Sequence, residues 1–231
     1  MSYQPRRLVE CDHYQAGRGG PRLNNTDFLH ISGPVMRLTK TEGQPETHRL
    51  YLHPPWILVP KIAQKLADQA LREDVDIHFK FWDPSQLKQF PLLGIDEYSD
   101  VKLEVSRLDR MVVLVQEAQL DTTMGIIDEI RACYPAGFSG RELPPLTFPI
   151  RDGVGFAEEP AAYEKNMVRS FHGLRGNFVA RVADRLIAEF GEGARFTPEL
   201  LLRAREIIAE LAPLHNIDPK NLALNLRQGT R

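Results

Sequence analysis

Residues 76–82 read DIHFKFW, and polar and apolar side chains alternate from Asp76 to Phe81. Successive side chains of a β-strand point to opposite faces, so this alternation predicts a strand with two different faces. One face carries the apolar Ile77, Phe79 and Phe81. The other face carries His78, Lys80 and Trp82. We expect the first face to lie in a hydrophobic core.

A second alternating stretch lies before it, at residues 48–54, which read HRLYLHP. Its polar face carries Arg49, Tyr51 and His53. Its apolar face carries Leu50 and Leu52. His53 stands next to two prolines, which favours the end of a strand, where functional side chains often lie.

The regions around these strands predict an α+β domain. Apolar residues after Pro60 recur at three- and four-residue steps, which indicates a helix between the two strands. Further strands are predicted at 101–105 and 109–115, and further helices at 121–134, 170–190 and 199–212. Residues 1–46 are expected to be a loop-rich extension, with a weak hairpin formed by the short apolar pieces 28–31 and 35–38 as the alternative. Residues 47–231 are predicted to be a single domain, a mostly antiparallel sheet packed against several helices with a C-terminal helical end.

Composition excludes several classes of protein. Hydrophobic residues are 42% and charged residues 26% of the chain, which is ordinary for a globular protein. The longest apolar run is far shorter than the roughly 20 residues of a membrane-spanning helix, and the N-terminus lacks a signal-peptide core. We therefore expect a cytoplasmic protein without membrane partners. The net charge of −2 gives no general reason to expect nucleic acid.

Metal and nucleotide sites are also not indicated. Cys11 and Cys133 are far apart and belong to no Cys/His cluster, so neither a metal site nor a disulfide framework is expected. The glycines around Arg18 are not followed by the Lys-Ser/Thr of a phosphate loop, so no nucleotide cofactor is expected.

Arginine outnumbers lysine by 21 to 8. The planar fork of arginine suits phosphate, although a high-GC genome would give the same bias. The arginines near strand ends, the glycine turn at 153–155 or a helix start are candidate phosphate ligands: Arg49, Arg107, Arg110, Arg151 and Arg175. A surface ion pair, such as Asp109 with Arg110, is the alternative for each of them.

Four stretches taken in order resemble the HopA-type effector family. They are HRLYLHP at 48–54, FKF at 79–81, RLDRMVVL at 107–114, and residues 153–175, which begin GVGFAEEP and end SFHGLR. Together the matched motifs extend over about residues 47–218. Domains of this family also occur in biosynthetic clusters for modified peptides such as class V lanthipeptides and thioamitides.

The resemblance implies a lyase chemistry. Peptide-modifying members resemble phosphothreonine lyases, which eliminate phosphate from phosphoserine or phosphothreonine and leave a dehydroamino acid. By this resemblance Lys80 is the base and Arg49 binds phosphate. Tyr51 stands where those lyases have the acid histidine, and His53 lies two residues later on the same face. The implied partners are a precursor peptide, with leader and core, and a kinase that phosphorylates it.

Two other functions remain open from the sequence. Tyr51 in place of the acid histidine fits a non-catalytic subunit that binds peptide for a kinase or modifying complex. The other function is that of a type III effector-like protein that acts on host signalling. Without the resemblance, Lys80 would read as a half-exposed strand lysine and Tyr51 as an aromatic residue of a half-buried strand.

Overall fold

The computed structural model describes residues 15–18, 28–32, 47–82, 108–159 and 171–226. The chain divides into two compact units. Unit 1 comprises Met1–Pro145 and Pro149–Phe156. Unit 2 comprises Leu146–Phe148 and Ala157–Arg231.

The described strands and helices follow one another from β1 to β9 and from α1 to α4. In chain order they are β1 (Gln15–Arg18), β2 (Phe28–Ser32), β3 (Thr47–Leu52), α1 (Val59–Arg72), β4 (His78–Trp82), β5 (Met111–Gln116), α2 (Leu120–Cys133), β6 (Phe148–Arg151), β7 (Val154–Glu158), α3 (Phe171–Phe190), α4 (Pro198–Leu211), β8 (Ile217–Asp218) and β9 (Asn221–Asn225).

Strands β1 to β7 form one sheet in the order β1-β2-β4-β5-β3-β7-β6. The pairings β1–β2, β2–β4, β4–β5 and β5–β3 are antiparallel. Strands β3 and β4 therefore run parallel to each other, with β5 between them. Helix α1 makes the crossover from one to the other, as in a split βαβ unit.

The hydrophobic core of unit 1 lies between the sheet and helices α1 and α2. Strand pairing aligns Leu50 and Phe79 on either side of Val113, so all three contribute to the same face. Ile62 and Leu66 of α1 pack on this face because residues four apart share one side of a helix. The predicted burial of Ile77, Phe79 and Phe81 is confirmed.

A tight turn joins β6 to β7. Gly153 has a φ of 71°, a left-handed conformation that favours glycine. A Cβ at this position would lie 2.8 Å from the Cα of Phe138, which is itself buried in the core. The glycine pair noticed in the sequence therefore allows a close backbone approach at Gly153.

Unit 2 contains α3, α4 and the hairpin β8–β9. Its core includes Phe178 and Val182 of α3 and Ile207 of α4. The side chain of Thr197 accepts a hydrogen bond from the Leu200 N–H at 3.2 Å, so the predicted N-cap of the last helix is confirmed.

The predicted α+β class, with its mostly antiparallel sheet and C-terminal helical end, is confirmed. The hairpin β8–β9 is an addition that the sequence did not predict. Strands β1 and β2 lie within the stretch expected to be loop-rich, and the domain division after residue 46 stays a prediction. The strand predicted at 101–105 lies outside the described residues.

Phe79→Ala should lower the free energy of unfolding by about 3–5 kcal/mol, because it leaves a cavity beneath the two helices of unit 1. Phe79 is 0% exposed. Phe196→Ala is the control, since that ring is 86% exposed. Urea unfolding curves measure both values, and equal stabilities of the two variants would show that the strand faces are wrongly assigned.

Gly153→Ala should be more destabilising than Gly140→Ala. Both glycines have positive φ, but a Cβ at Gly140 would meet no atom of the described residues within 4 Å. Gly140→Ala should therefore lower the free energy of unfolding only through the strain of an alanine in the left-handed conformation, about 1–2 kcal/mol. Gly153→Ala adds the clash with Phe138, about 1–3 kcal/mol more. Thermal unfolding measures the difference, and the same loss in both variants would contradict the close approach.

Candidate functional site

The sheet face opposite α1 and α2 carries four polar side chains of β3 and β4, which we call the polar face: Arg49, Tyr51, His78 and Lys80. Strand pairing arranges them in two rows. Tyr51 and Lys80 both pair with Val112 of β5. Arg49 and His78 both pair with Leu114. Since adjacent strands are about 4.8 Å apart, the Cα atoms of the two polar residues in each row are about 10 Å apart.

These side chains are withdrawn from water to different degrees. Arg49, Tyr51 and His78 are buried, and Lys80 is half-buried. A charged arginine at this depth is uncommon, because burying a charge is unfavourable without compensating interactions. Val112 forms an apolar floor between Tyr51 and Lys80 and is itself buried. On the other side of β4, Lys80 pairs with His30 of β2.

A second group of cations lies where β3 ends and β5 begins, and we call it the end cluster: His53, Arg110 and Arg141. Leu52 pairs with Met111, so His53 and Arg110 are the next residues on neighbouring strands. The ring of His53 is buried, and its Nδ1 lies 2.9 Å from the carbonyl oxygen of Glu142.

The guanidinium of Arg110 is held from two sides. Its Nη1 donates to the carbonyl oxygen of Pro54 at 3.0 Å. Its Cζ lies 4.2 Å from the centre of the Trp56 ring, a cation–π distance. These two contacts fix the orientation of the Arg110 guanidinium group beside His53.

Burial and the neighbouring charge of Arg141 lower the pKa of Arg110 to about 10. The pKa of His53 is also lowered from its ordinary value of 6.5, first by burial and then by the charge of Arg110. The hydrogen bond to the Glu142 carbonyl opposes this shift, while the charge of Arg141 adds to it. The end cluster thus holds like charges close together where access of water is restricted.

Arg151 lies elsewhere, on the hairpin of β6 and β7. It is exposed, and its Nε lies 3.4 Å from a carboxylate oxygen of Asp128. This is the surface ion pair considered as the alternative for each arginine. Arg107 lies outside the described residues.

Arg175 is almost fully buried within unit 2, with 1% of its surface exposed. Its Nε donates to the carbonyl oxygen of Leu222 at 2.9 Å, and its Nη2 donates to that of Leu224 at 3.1 Å. The same Nη2 donates to the side-chain oxygen of Asn225 at 3.1 Å. These contacts tie α3 to β9 and support a structural role.

Two residues of these groups were not among the sequence candidates. His78 had been assigned to the face of Lys80 but not to the site. Arg141 stands in a loop between α2 and β6, where no periodicity marks it. No group of three or more His, Cys, Asp or Glu side chains among the described residues is arranged to hold a metal ion. No helix of the described ranges is long and apolar enough to cross a membrane.

Arg175→Met should lower the free energy of unfolding by about 2–4 kcal/mol, because it leaves buried carbonyl oxygens of β9 without donors. Arg205→Met is the control, since Arg205 is exposed on α4. Chemical denaturation measures both. If Arg175→Met instead kept full stability and lost affinity for phosphopeptide, Arg175 would be a ligand residue.

Comparisons with known proteins identify the family. The HopA1 effector protein family matches residues 102–224, more than half of the chain. No curated protein matches. Among solved structures, the effector protein from Pseudomonas syringae pv. tomato strain DC3000 aligns with a TM-score of 0.59 and 13% identity over 96% of this chain and 79% of that chain. The effector protein from Pseudomonas syringae pv. syringae strain 61 aligns with a TM-score of 0.59 and 14% identity over 96% of this chain and 78% of that chain. At this identity the structures demonstrate a shared fold, and the family match shows that this chain belongs to the HopA1 effector protein family.

Proposed function

We propose that this protein is a carbon–oxygen lyase that eliminates phosphate from phosphoserine or phosphothreonine in a precursor peptide. The products are dehydroalanine or dehydrobutyrine residues, formed during the biosynthesis of a lanthipeptide-like peptide. One observation carries the proposal: strand pairing aligns Lys80 and Tyr51 in one row, with Arg49 and His78 in the next row of the same face.

Elimination needs a base, an acid and cations in one place. The amine of Lys80 removes the proton from Cα, and the electron pair of that bond forms the Cα–Cβ double bond. The Cβ–O bond breaks, and the phosphate leaves with the electron pair of the Cβ–O bond. Tyr51 or His53 donates a proton to the departing oxygen, and Arg49 stabilises the negative charge. A lysine acts as the base only in its neutral form.

The spacing of the row suits a phosphorylated side chain. The Cα positions of Lys80 and Tyr51 are about 10 Å apart, with Val112 between them, so base and acid can approach a substrate from opposite sides. The apolar floor at Val112 strengthens the electrostatic interactions above it by excluding water. Since the substrate must carry phosphate, a kinase acts before this protein.

The replacement of the expected acid histidine by Tyr51 favours a second candidate, a subunit that binds phosphopeptide without chemistry. The similarity to effectors of Pseudomonas syringae also keeps open an action on host signalling proteins. The first two functions require recognition of a phosphorylated peptide and differ in whether the Cβ–O bond breaks. The third differs from both in its target, a host signalling protein.

Lys80→Ala should reduce the elimination rate about 10²- to 10⁴-fold and leave binding of phosphopeptide largely intact, because a general base acts on the transition state. The full chain is incubated with synthetic phosphoserine and phosphothreonine peptides, and mass spectrometry follows the loss of phosphoric acid. Lys61→Ala is the matched control, since Lys61 is an exposed lysine on α1.

Tyr51→Phe and His53→Ala belong in the same measurement, because the acid is the residue whose loss slows elimination more. Wild-type protein that binds the phosphopeptides and leaves them unchanged would favour the binding subunit. Lys80→Ala protein with a full rate at saturating substrate would exclude Lys80 as the base.

A further inference from the structure

Two buried nitrogen atoms of the end cluster point to a ligand site. The Nε2 of His53 and the Nε of Arg141 are buried and have no hydrogen-bond partner within the described ranges. Only 7% of His53 is exposed. A buried polar atom without a partner is unfavourable, so such atoms often mark a ligand position.

The charges point in the same direction. Burial and the charge of Arg141 both lower the pKa of Arg110. The charges of Arg110 and Arg141 also lower the pKa of His53, and the charge of Glu142 acts on it in the opposite direction. An anion between the two guanidinium groups would remove the repulsion between them.

The donors also indicate the type of anion. Nη1 of Arg110 donates to the Pro54 carbonyl oxygen, and Nη2 of Arg141 donates to the Ala136 carbonyl oxygen at 3.4 Å. The other N–H groups of the two guanidinium groups suit the oxygens of a phosphate group. The Nδ1 of His53 faces a carbonyl oxygen and therefore carries a proton, so Nε2 donates only when the ring is cationic. Two guanidinium groups and an imidazolium together suit a doubly charged anion.

We propose that His53, Arg110 and Arg141 form a binding site for a phosphate dianion, in which His53 donates from Nε2. This proposal deepens the proposed function, and it rests on it for the source of the phosphate: the phosphorylated side chain of the peptide, or the phosphate that leaves it. Arg141 is then a specificity-determining residue. Inorganic phosphate and a phosphothreonine peptide distinguish the two sources.

Binding should depend on pH through His53. Its pKa in the free protein lies below 6.5, so the ring is mostly neutral at neutral pH. A bound dianion stabilises the imidazolium and raises this pKa, and binding therefore takes up a proton. Affinity rises as pH falls through the pKa of the complex, and it levels off below the pKa of the free protein. Sulfate reports this dependence directly, because it remains a dianion throughout.

The test is isothermal titration of the full chain with inorganic phosphate, sulfate and the phosphothreonine peptide. Arg141→Met should weaken binding at least about tenfold, whereas Arg72→Met, an exposed arginine of α1, should leave it unchanged. His53→Gln should abolish the increase in sulfate affinity between about pH 8 and pH 6. Tighter binding of the peptide than of inorganic phosphate identifies the peptide as the ligand.

Thermal unfolding separates this role from a structural one. In buffer without phosphate, Arg141→Met should be at least as stable as wild type, because the variant loses a like-charge repulsion. Phosphate should raise the melting temperature of wild type only. Equal phosphate affinity of Arg141→Met and wild type would overturn the proposal, and so would equal weakening by Arg72→Met.

The two proposals fail separately. Elimination that proceeds with an unchanged KM in Arg141→Met would refute the anion site and leave the lyase function standing. Phosphate binding that depends on Arg141, in a wild-type protein that never eliminates phosphate, would refute the lyase function and leave the anion site standing.

Discussion

The pairing of β5 with β3 on one side and β4 on the other is the constraint on which unit 1 depends. It places Phe79 and Leu50 in the core and brings Tyr51 and Lys80 to opposite sides of Val112. A slip of β4 by one residue would turn the amine of Lys80 into the core and Phe79 out of it. Because burying that charge and exposing that ring are both unfavourable, the register is strongly specified. The same hydrophobic packing that stabilises the fold thus determines which polar groups meet.

The end cluster of unit 1 brings like charges together. The charge of Arg141 lowers the pKa of Arg110, and the charges of both lower the pKa of His53. Hydrophobic packing of the sheet against α1 and α2 offsets this repulsion. Such an arrangement is typical of sites where stability is lower in the absence of a ligand. In the proposed elimination, both groups of cations act on the same kind of anion, a phosphate.

Unit 2 uses an arginine in a different way. Arg175 donates to carbonyl oxygens of β9, and the Glu158 carboxylate accepts a hydrogen bond from the Asn225 N–H at 2.7 Å. The side chain of Asn225 donates to the carbonyl oxygen of Glu159 at 2.7 Å. These bonds satisfy backbone groups that would otherwise be buried without partners. A guanidinium suits carbonyl groups as well as phosphate, so residue type alone does not distinguish these roles.

The sequence by itself determined strands β3, β4 and β5 and helices α1 to α4, because alternation and helical spacing are local properties of neighbouring residues. It also singled out Lys80, Tyr51 and His53 through a family resemblance. Which arginines stand beside them was decided only by the tertiary structure. Arg141 is far from Arg110 along the chain and carries no local pattern, and the hairpin β8–β9 is too short to show one. Contacts of this kind depend on long-range pairing and packing, which no single segment of the sequence encodes.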